Sequence, residues 1–297
     1  MYHKPVLLNE CINGLAIKSD GNYVDATFGG GGHSSEILKR LNSRKLLGFD
    51  QDKDAINNKF DDERFIFVKS NFIFLKNFLM YYKLMPVDGI LADLGISSYQ
   101  IDEPSRGFST RFDGKLDMRM NNNTDLDAGK VINEYSENDL KEIFKKYGEI
   151  KNAGKLAWVL AKKRKEKNIE TTGDLKNAVQ SCVINKKENK YFAQVFQAIR
   201  IEVNDELGAL KTFLIESSKV LKPGGRLVIM SYHSLEDRLV KNFLKSGNFD
   251  GIIKKDFYGK PQVDFKLINK KPIVADENEI LLNKRARSAK LRIAEKL

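Results

Sequence analysis

Cysteine is scarce in this chain. Cys11 and Cys182 are the only two among 297 residues. They form no Cys-x-x-Cys pair and neighbour no histidine cluster, so a disulfide framework and a structural zinc site are both excluded, and no metal is expected. Each reads as a small buried side chain. Long apolar runs are also absent, which excludes a membrane helix. The stretch "MYHKPVLLNECINGL" has no basic segment leading into a long apolar one, so no secretory leader is expected and the cytoplasm is the expected compartment. There is no internal repeat.

What is present is ordinary for a globular protein: 41% hydrophobic and 31% charged residues. The formal net charge is +11, a surplus that suits a polyanion such as nucleic acid but also arises from lysine-rich composition alone.

The first third alternates two kinds of segment. "NYVDATF", "KLLGFD", "RFIFVKS" and "VDGILADLG" read as strands; "HSSEILKRL", "DKDAINNKF" and "FIFLKNFLMYYKL" read as the helices between them. That order predicts an α/β fold with a parallel sheet covered on both faces. From about Glu103 to Tyr191 no strand is evident. "SENDLKEIFKKYG" has a capping-box start at Ser136 and Asp139 and a stop at Gly148; "AGKLAWVLAKKRK" and "TTGDLKNAVQSCVI" follow as helices. The α/β pattern then resumes, with "NDELGALKTFLIESSKVL" as one long helix capped by Asn204 or Asp205, "KPGG" as its end, and "RLVIMSYHS" as a fifth strand. The expected organisation is a discontinuous sheet domain, 1–102 and 192–297, with an all-helical subdomain at 103–191.

Ligands of open parallel sheets bind beyond the carboxyl ends of the strands. Those ends carry Asp25 with Gly29 to His33, then Asp50, then Ser70 to Phe72, then Asp93 to Gly95, then Tyr232 and His233. The set lacks positive charge. The run "GGGGHSS" fits the dinucleotide fingerprint poorly, and acidic neighbours repel a pyrophosphate. Asp50 sits where a carboxylate binds ribose hydroxyls. A cofactor with an adenosine, a positive charge and no phosphate, S-adenosylmethionine, suits this set better than NAD, so a methyltransferase is favoured over a dehydrogenase.

The segments "HKPVLLNE", "DATFGGGGHSSEIL", "GFDQDKDAI", "DGILADLGISSYQID", "RGFS", "LDMRM", "VFQAIRIEVNDEL", "LKPGGRLVIMSYHSLEDR" and "RARSAKLR" occur in that order. Together they resemble the ribosomal RNA small-subunit methyltransferase H family over essentially the whole chain. The resemblance implies a Rossmann-like S-adenosylmethionine-dependent methyltransferase sheet with a helical insert. It also implies methylation of the exocyclic N4 of a cytidine in the decoding region of bacterial 16S rRNA, met within the small ribosomal subunit. Carried over by motif, the cofactor contacts are Gly31, Gly32, His33, Asp50, Phe72, Asp93 and Gln100. Asp93 is also the candidate catalytic residue, as an acceptor for the amine; contact with the cofactor alone is the other reading of it. Tyr99 stands where the family commonly has proline, and Asn121 where it often has aspartate.

Arg106, Phe108, Arg119, Tyr232 and His233 are candidates for holding an unstacked base. Arg111 joins Arg106 and Arg119 as a candidate RNA contact, while Phe108 reads equally well as core. Lys162–Lys167 and Lys284–Arg292 are basic segments able to meet phosphates. His3 is read as surface or as part of a segment closing over the site. Two other readings stay open: a methyltransferase of the same fold acting on another base, and a non-enzymatic RNA-binding assembly factor.

Overall fold

A computed structural model describes residues 5–183 and 187–297; His3 and the end of "TTGDLKNAVQSCVI" lie outside the described residues. The chain forms two compact units, one of Met1–Gly95 with Leu207–Leu297 and one of Ile96–Glu206.

The first unit begins with α1 (Leu8–Leu15), β1 (Tyr23–Asp25), α2 (Gly32–Leu38), β2 (Leu46–Asp50), β3 (Phe65–Lys69), α3 (Leu75–Tyr81) and β4 (Val87–Asp93). The helical unit holds α4 (Ser98–Asp102), α5 (Ala128–Glu134), α6 (Glu137–Lys146), α7 (Ala153–Glu166), α8 (Thr172–Val179) and α9 (Glu188–Asn204). The chain then returns through α10 (Glu206–Val220), β5 (Leu221–Ser231), α11 (Ser234–Ser246), β6 (Phe265–Leu267), α12 (Glu277–Leu282) and β7 (Lys290–Lys296).

The strands form one seven-stranded sheet in the order β3-β2-β1-β4-β5-β7-β6. The first five run parallel, and β7 is antiparallel to both β5 and β6. Strand order reverses between β1 and β4, the switch point where such sheets bind ligands. Successive side chains leave a strand on opposite faces. Ile90 and Ala92 of β4 accordingly join a core with Leu75 and Leu79 of α3 and Phe213 of α10. Leu91, between them, joins the opposite core with Ile12 and Leu15 of α1 and Ile37 of α2. Both faces are covered, which is why the strands read as continuous apolar runs.

The helical unit has its own core. Leu140 and Phe144 of α6, Leu156 and Leu160 of α7, Leu175 of α8 and Val195 of α9 belong to one cluster. Cys182 is buried there, and Cys11 is buried in the sheet unit.

Three sequence expectations change. "DKDAINNKF" is not an α-helix but a 3-10 turn over Lys53–Asn58, because only Ala55 is buried and Ile56 points to solvent. The helix read from Asn204 stands as α10, and Asp205, in a left-handed conformation with φ 44°, separates it from α9, which the sequence reading did not identify. Asn204 therefore ends α9, and its side chain donates to the Met118 carbonyl and accepts from Met120 N–H. "KPGG" lies inside β5, which starts at Leu221 and ends at Ser231. The compact helical unit is wider than 103–191, since it takes in α4 and all of α9.

Candidate functional site

The glycine run follows β1 and opens α2. Gly29 and Gly31 have φ of 50° and 75°, the left-handed region that a side chain disfavours. A Cβ on Gly31 would lie 2.9 Å from the Phe60 ring, and one on Gly32 would run into Pro5, whereas one on Gly30 would meet open space. The loop is thus packed from behind and open at its crest.

Three carboxylates hold this loop. Asp25 is fully buried and accepts from Ser34 Oγ at 2.7 Å and from Thr27 N–H at 3.1 Å, tying the end of β1 to α2. Asp50 accepts from Gly29 N–H and from Asp52 N–H, both at 2.8 Å. Asp93 accepts from the Tyr232 hydroxyl at 2.8 Å, and its own N–H donates to Thr27 Oγ1 at 2.6 Å. Burial pushes all three carboxyls up to about 6, with the charge of Asp25 adding to the shift at both Asp50 and Asp93. Their proximity to one another makes this end of the sheet electronegative.

His33 lies in the first turn of α2. Its Nε2 is 3.2 Å from the Val6 carbonyl, which calls for the proton on Nε2, and burial lowers its pKa against the pull of Asp93. The segment around Val6 is fastened again where Leu7 N–H donates to Glu279 Oε1 at 2.7 Å. Burial, followed by the charge of Asp93, raises both the Tyr232 phenol and the Cys11 thiol well above their ordinary values. Neither is a ready nucleophile. Phe72, partly buried, packs its ring 5.0 Å from that of Phe213.

His233 is the N-cap of α11. Its Nδ1 accepts from Glu236 N–H at 3.4 Å, while Glu236 Oε2 accepts from the N–H groups of Tyr232 and His233. This capping box fixes the turn that presents Tyr232 to Asp93.

The remaining candidates lie in the helical unit. Gln100 is buried, and its Oε1 accepts from Ser97 N–H in the capping box of α4. Tyr99 occupies the second position of that helix, and the box forms without proline. Arg106 is buried and donates to the carbonyls of Arg119 and Met120, with its guanidinium 5.9 Å from the centre of the Phe108 ring. Arg119 pairs through two nitrogens with Asp117 and donates to the Thr124 carbonyl. Phe108 belongs to the helical core. These three residues build the loop between α4 and α5. Asn121 accepts from Asn123 N–H in the same loop, as an aspartate would. Arg111, by contrast, is exposed, with a long contact of 3.4 Å to Asp102. In the basic C-terminal segment Arg292 is buried and paired with Asp237 at 2.6 Å.

Sequence reasoning missed Thr27, which joins the ends of β1 and β4, and Ser34, the partner of Asp25. Both are short hydroxyl residues inside the quoted glycine motif, and their polarity in an otherwise apolar or glycine-rich stretch was the available signal.

The family model described as the MraW methylase family matches residues 1–297. The chain belongs to the MraW methylase family. It is 56% identical to a protein of Flavobacterium johnsoniae named ribosomal RNA small subunit methyltransferase H, over 100% of this chain and 98% of that one. It is 55% identical to a protein of the same name from Bacteroides fragilis, over 99% of this chain and 97% of that one. Among solved structures the likeness is distant: an rRNA methylase from Streptococcus thermophilus matches with 13% identity and a TM-score of 0.40, covering 100% of this chain and 99% of that one.

For an MraW methylase the donor set at the strand ends is chemically apt. A pyrophosphate would bring anions to three carboxylates whose protons are already hard to remove. A cationic ligand relieves that repulsion.

Proposed function

We propose that this chain transfers a methyl group from S-adenosylmethionine to the exocyclic N4 of a cytidine in the decoding region of bacterial 16S rRNA. The reaction takes place in the cytoplasm, on the small ribosomal subunit. The observation that carries the reading is the cluster of Asp25, Asp50 and Asp93 at the carboxyl ends of β1, β2 and β4, each pushed up to about 6. Membership of a methylase family and the names of the relatives support the substrate.

Gly29 to Gly32 and His33 frame the methionine end of the cofactor. Each Asp50 oxygen accepts one backbone N–H and keeps a lone pair for a ribose hydroxyl. Phe72, backed by Phe213, offers an apolar face to the adenine. S-adenosylmethionine supplies the methyl as an electrophile activated by its own sulfonium. The protein's task is position and electrostatics.

Cytosine N4 is a poor nucleophile because its lone pair is delocalised into the ring. A carboxylate accepting from the amine localises that pair and meets the positive charge as the bond forms. Asp93 is the candidate, held at one oxygen by Tyr232. The cation formed on methylation is acidic and loses its proton without a strong base, which fits a buried His33 of lowered pKa. Tyr232 and His233 line the base side. Gln100 completes the capping box of α4, and Arg106, Phe108 and Arg119 shape the loop after it.

The test is transfer of labelled methyl from S-adenosylmethionine to unmethylated small subunits, followed by nucleoside analysis. Label in N4-methylcytidine derivatives is expected. Label in another base would overturn the substrate, and no transfer would overturn the activity.

A further inference from the structure

The outer face of α7 is unusual. Its inner face, Leu156, Ala157 and Leu160 among others, is buried in the helical core. Its solvent side carries Lys155, Trp158, Lys162 and Lys165, all exposed. Their spacing of three, four and three residues puts them on one stripe. Trp158 is the chain's only tryptophan and is 53% exposed. A large aromatic there adds nothing to the core, although burying one is among the largest single gains a fold can make. The Lys162 ammonium sits 5.5 Å from the centre of the Trp158 ring. At the start of the stripe, Lys141 and Lys145 of α6 join Lys151 in lining a shallow cleft. Acidic neighbours are fewer: Glu149 in the cleft, and Glu166, which pairs with Lys163 on the flank.

We infer that this face is a docking surface for single-stranded RNA, with Trp158 stacking on an unpaired base and the lysines around it holding the flanking phosphates. The inference rests on the proposed activity for the class of polyanion, and on the stripe for its place. An aromatic set among cations matches how proteins hold unpaired nucleic acid: the ring takes the base face, and the cations track the backbone. A protein partner would call for apolar neighbours around the tryptophan, and the stripe supplies lysines instead.

Because the tryptophan is unique, its fluorescence reports on this face alone. Titration of the full chain with an unstructured RNA oligonucleotide should quench Trp158 emission, and the binding so measured should weaken steeply with salt. Trp158→Ala should raise the RNA Kd about tenfold, read by anisotropy of a labelled oligonucleotide, while Trp158→Phe retains most of the affinity. Lys155→Gln with Lys162→Gln should lower the salt slope by about two. Affinity for S-adenosylmethionine should stay unchanged in every variant. Unaltered Trp158 emission at RNA concentrations that saturate anisotropy would overturn the inference. So would equal RNA affinity in Trp158→Ala, or emission that responds to the small subunit's proteins but not to its RNA. Labelled-methyl transfer by the same preparations separates the two readings. Transfer with a silent Trp158 removes the docking face and leaves the activity standing, whereas no transfer removes the activity itself.

Discussion

The sheet unit and the helical unit handle charge in opposite ways. At the strand ends, Asp25, Asp50 and Asp93 share a small buried space, and their partners are backbone N–H groups and hydroxyls. In the helical unit, Arg106 and Arg119 are engaged with backbone carbonyls and with Asp117. Arginine charge there is met by carbonyls and a carboxylate, whereas the strand-end carboxylates are met by neutral N–H and hydroxyl groups. A charged residue near a suspected site is therefore weak evidence of contact; whether its charge is already matched decides more.

The largest expected effect tests the structural side. Phe108→Ala should destabilise the helical unit by about 3–5 kcal/mol, seen in chemical denaturation, because it opens a cavity in that core. A change below about 1 kcal/mol would return Phe108 to the list of base contacts. Next, Asp93→Asn keeps the shape and removes the charge. Methyl transfer should fall roughly 100-fold, about 2.7 kcal/mol, in single-turnover assays; full turnover with unchanged cofactor affinity would remove Asp93 from both its roles. Asp50→Ala should raise the S-adenosylmethionine Kd roughly 30-fold, about 2 kcal/mol, in calorimetry. An unchanged Kd would mean that Asp50 serves only the glycine loop.

The pH dependence follows from the same carboxylates. Their folded pKa of about 6 is above the ordinary value of 3.8, so without cofactor they favour the folded state more at acid pH, and that contribution is lost as pH rises through 6. A cation needs them ionised. Cofactor affinity should thus drop about tenfold from pH 7.5 to pH 5 for each carboxylate that must be charged, while the cofactor-free protein gains from the same protonation. Affinity flat across this range would show that the carboxylates do not face the cation. The smallest effect belongs to Arg111→Ala, within about 0.5 kcal/mol of the parent in stability, because the side chain is exposed and its ion pair long. A larger loss would put Arg111 with the loop-building arginines.

Much of this was legible in the sequence. Apolar runs marked β1 to β4, three of them ending in Asp25, Asp50 and Asp93, the carboxylates of the candidate site. The strand β7 escaped notice because "KLRIAEK" alternates charge with apolar residues and ends a basic stretch, the look of a solvated tail. The start of α10 at Glu206 was legible from the cap-type residues Asn204 and Asp205, whereas α9 before it was not read as a helix. The roles of Arg106 and Arg119 were illegible for another reason. Their partners are mostly backbone carbonyls, which every sequence contains and no motif reveals.

The central claim is that the strand-end carboxylates select a cationic cofactor over a dinucleotide. Calorimetric titration of the full chain with S-adenosylmethionine and with NAD, at about pH 7.5, tests it most directly. Saturable binding of S-adenosylmethionine with none for NAD is the predicted result. Binding of NAD with no response to S-adenosylmethionine would contradict it.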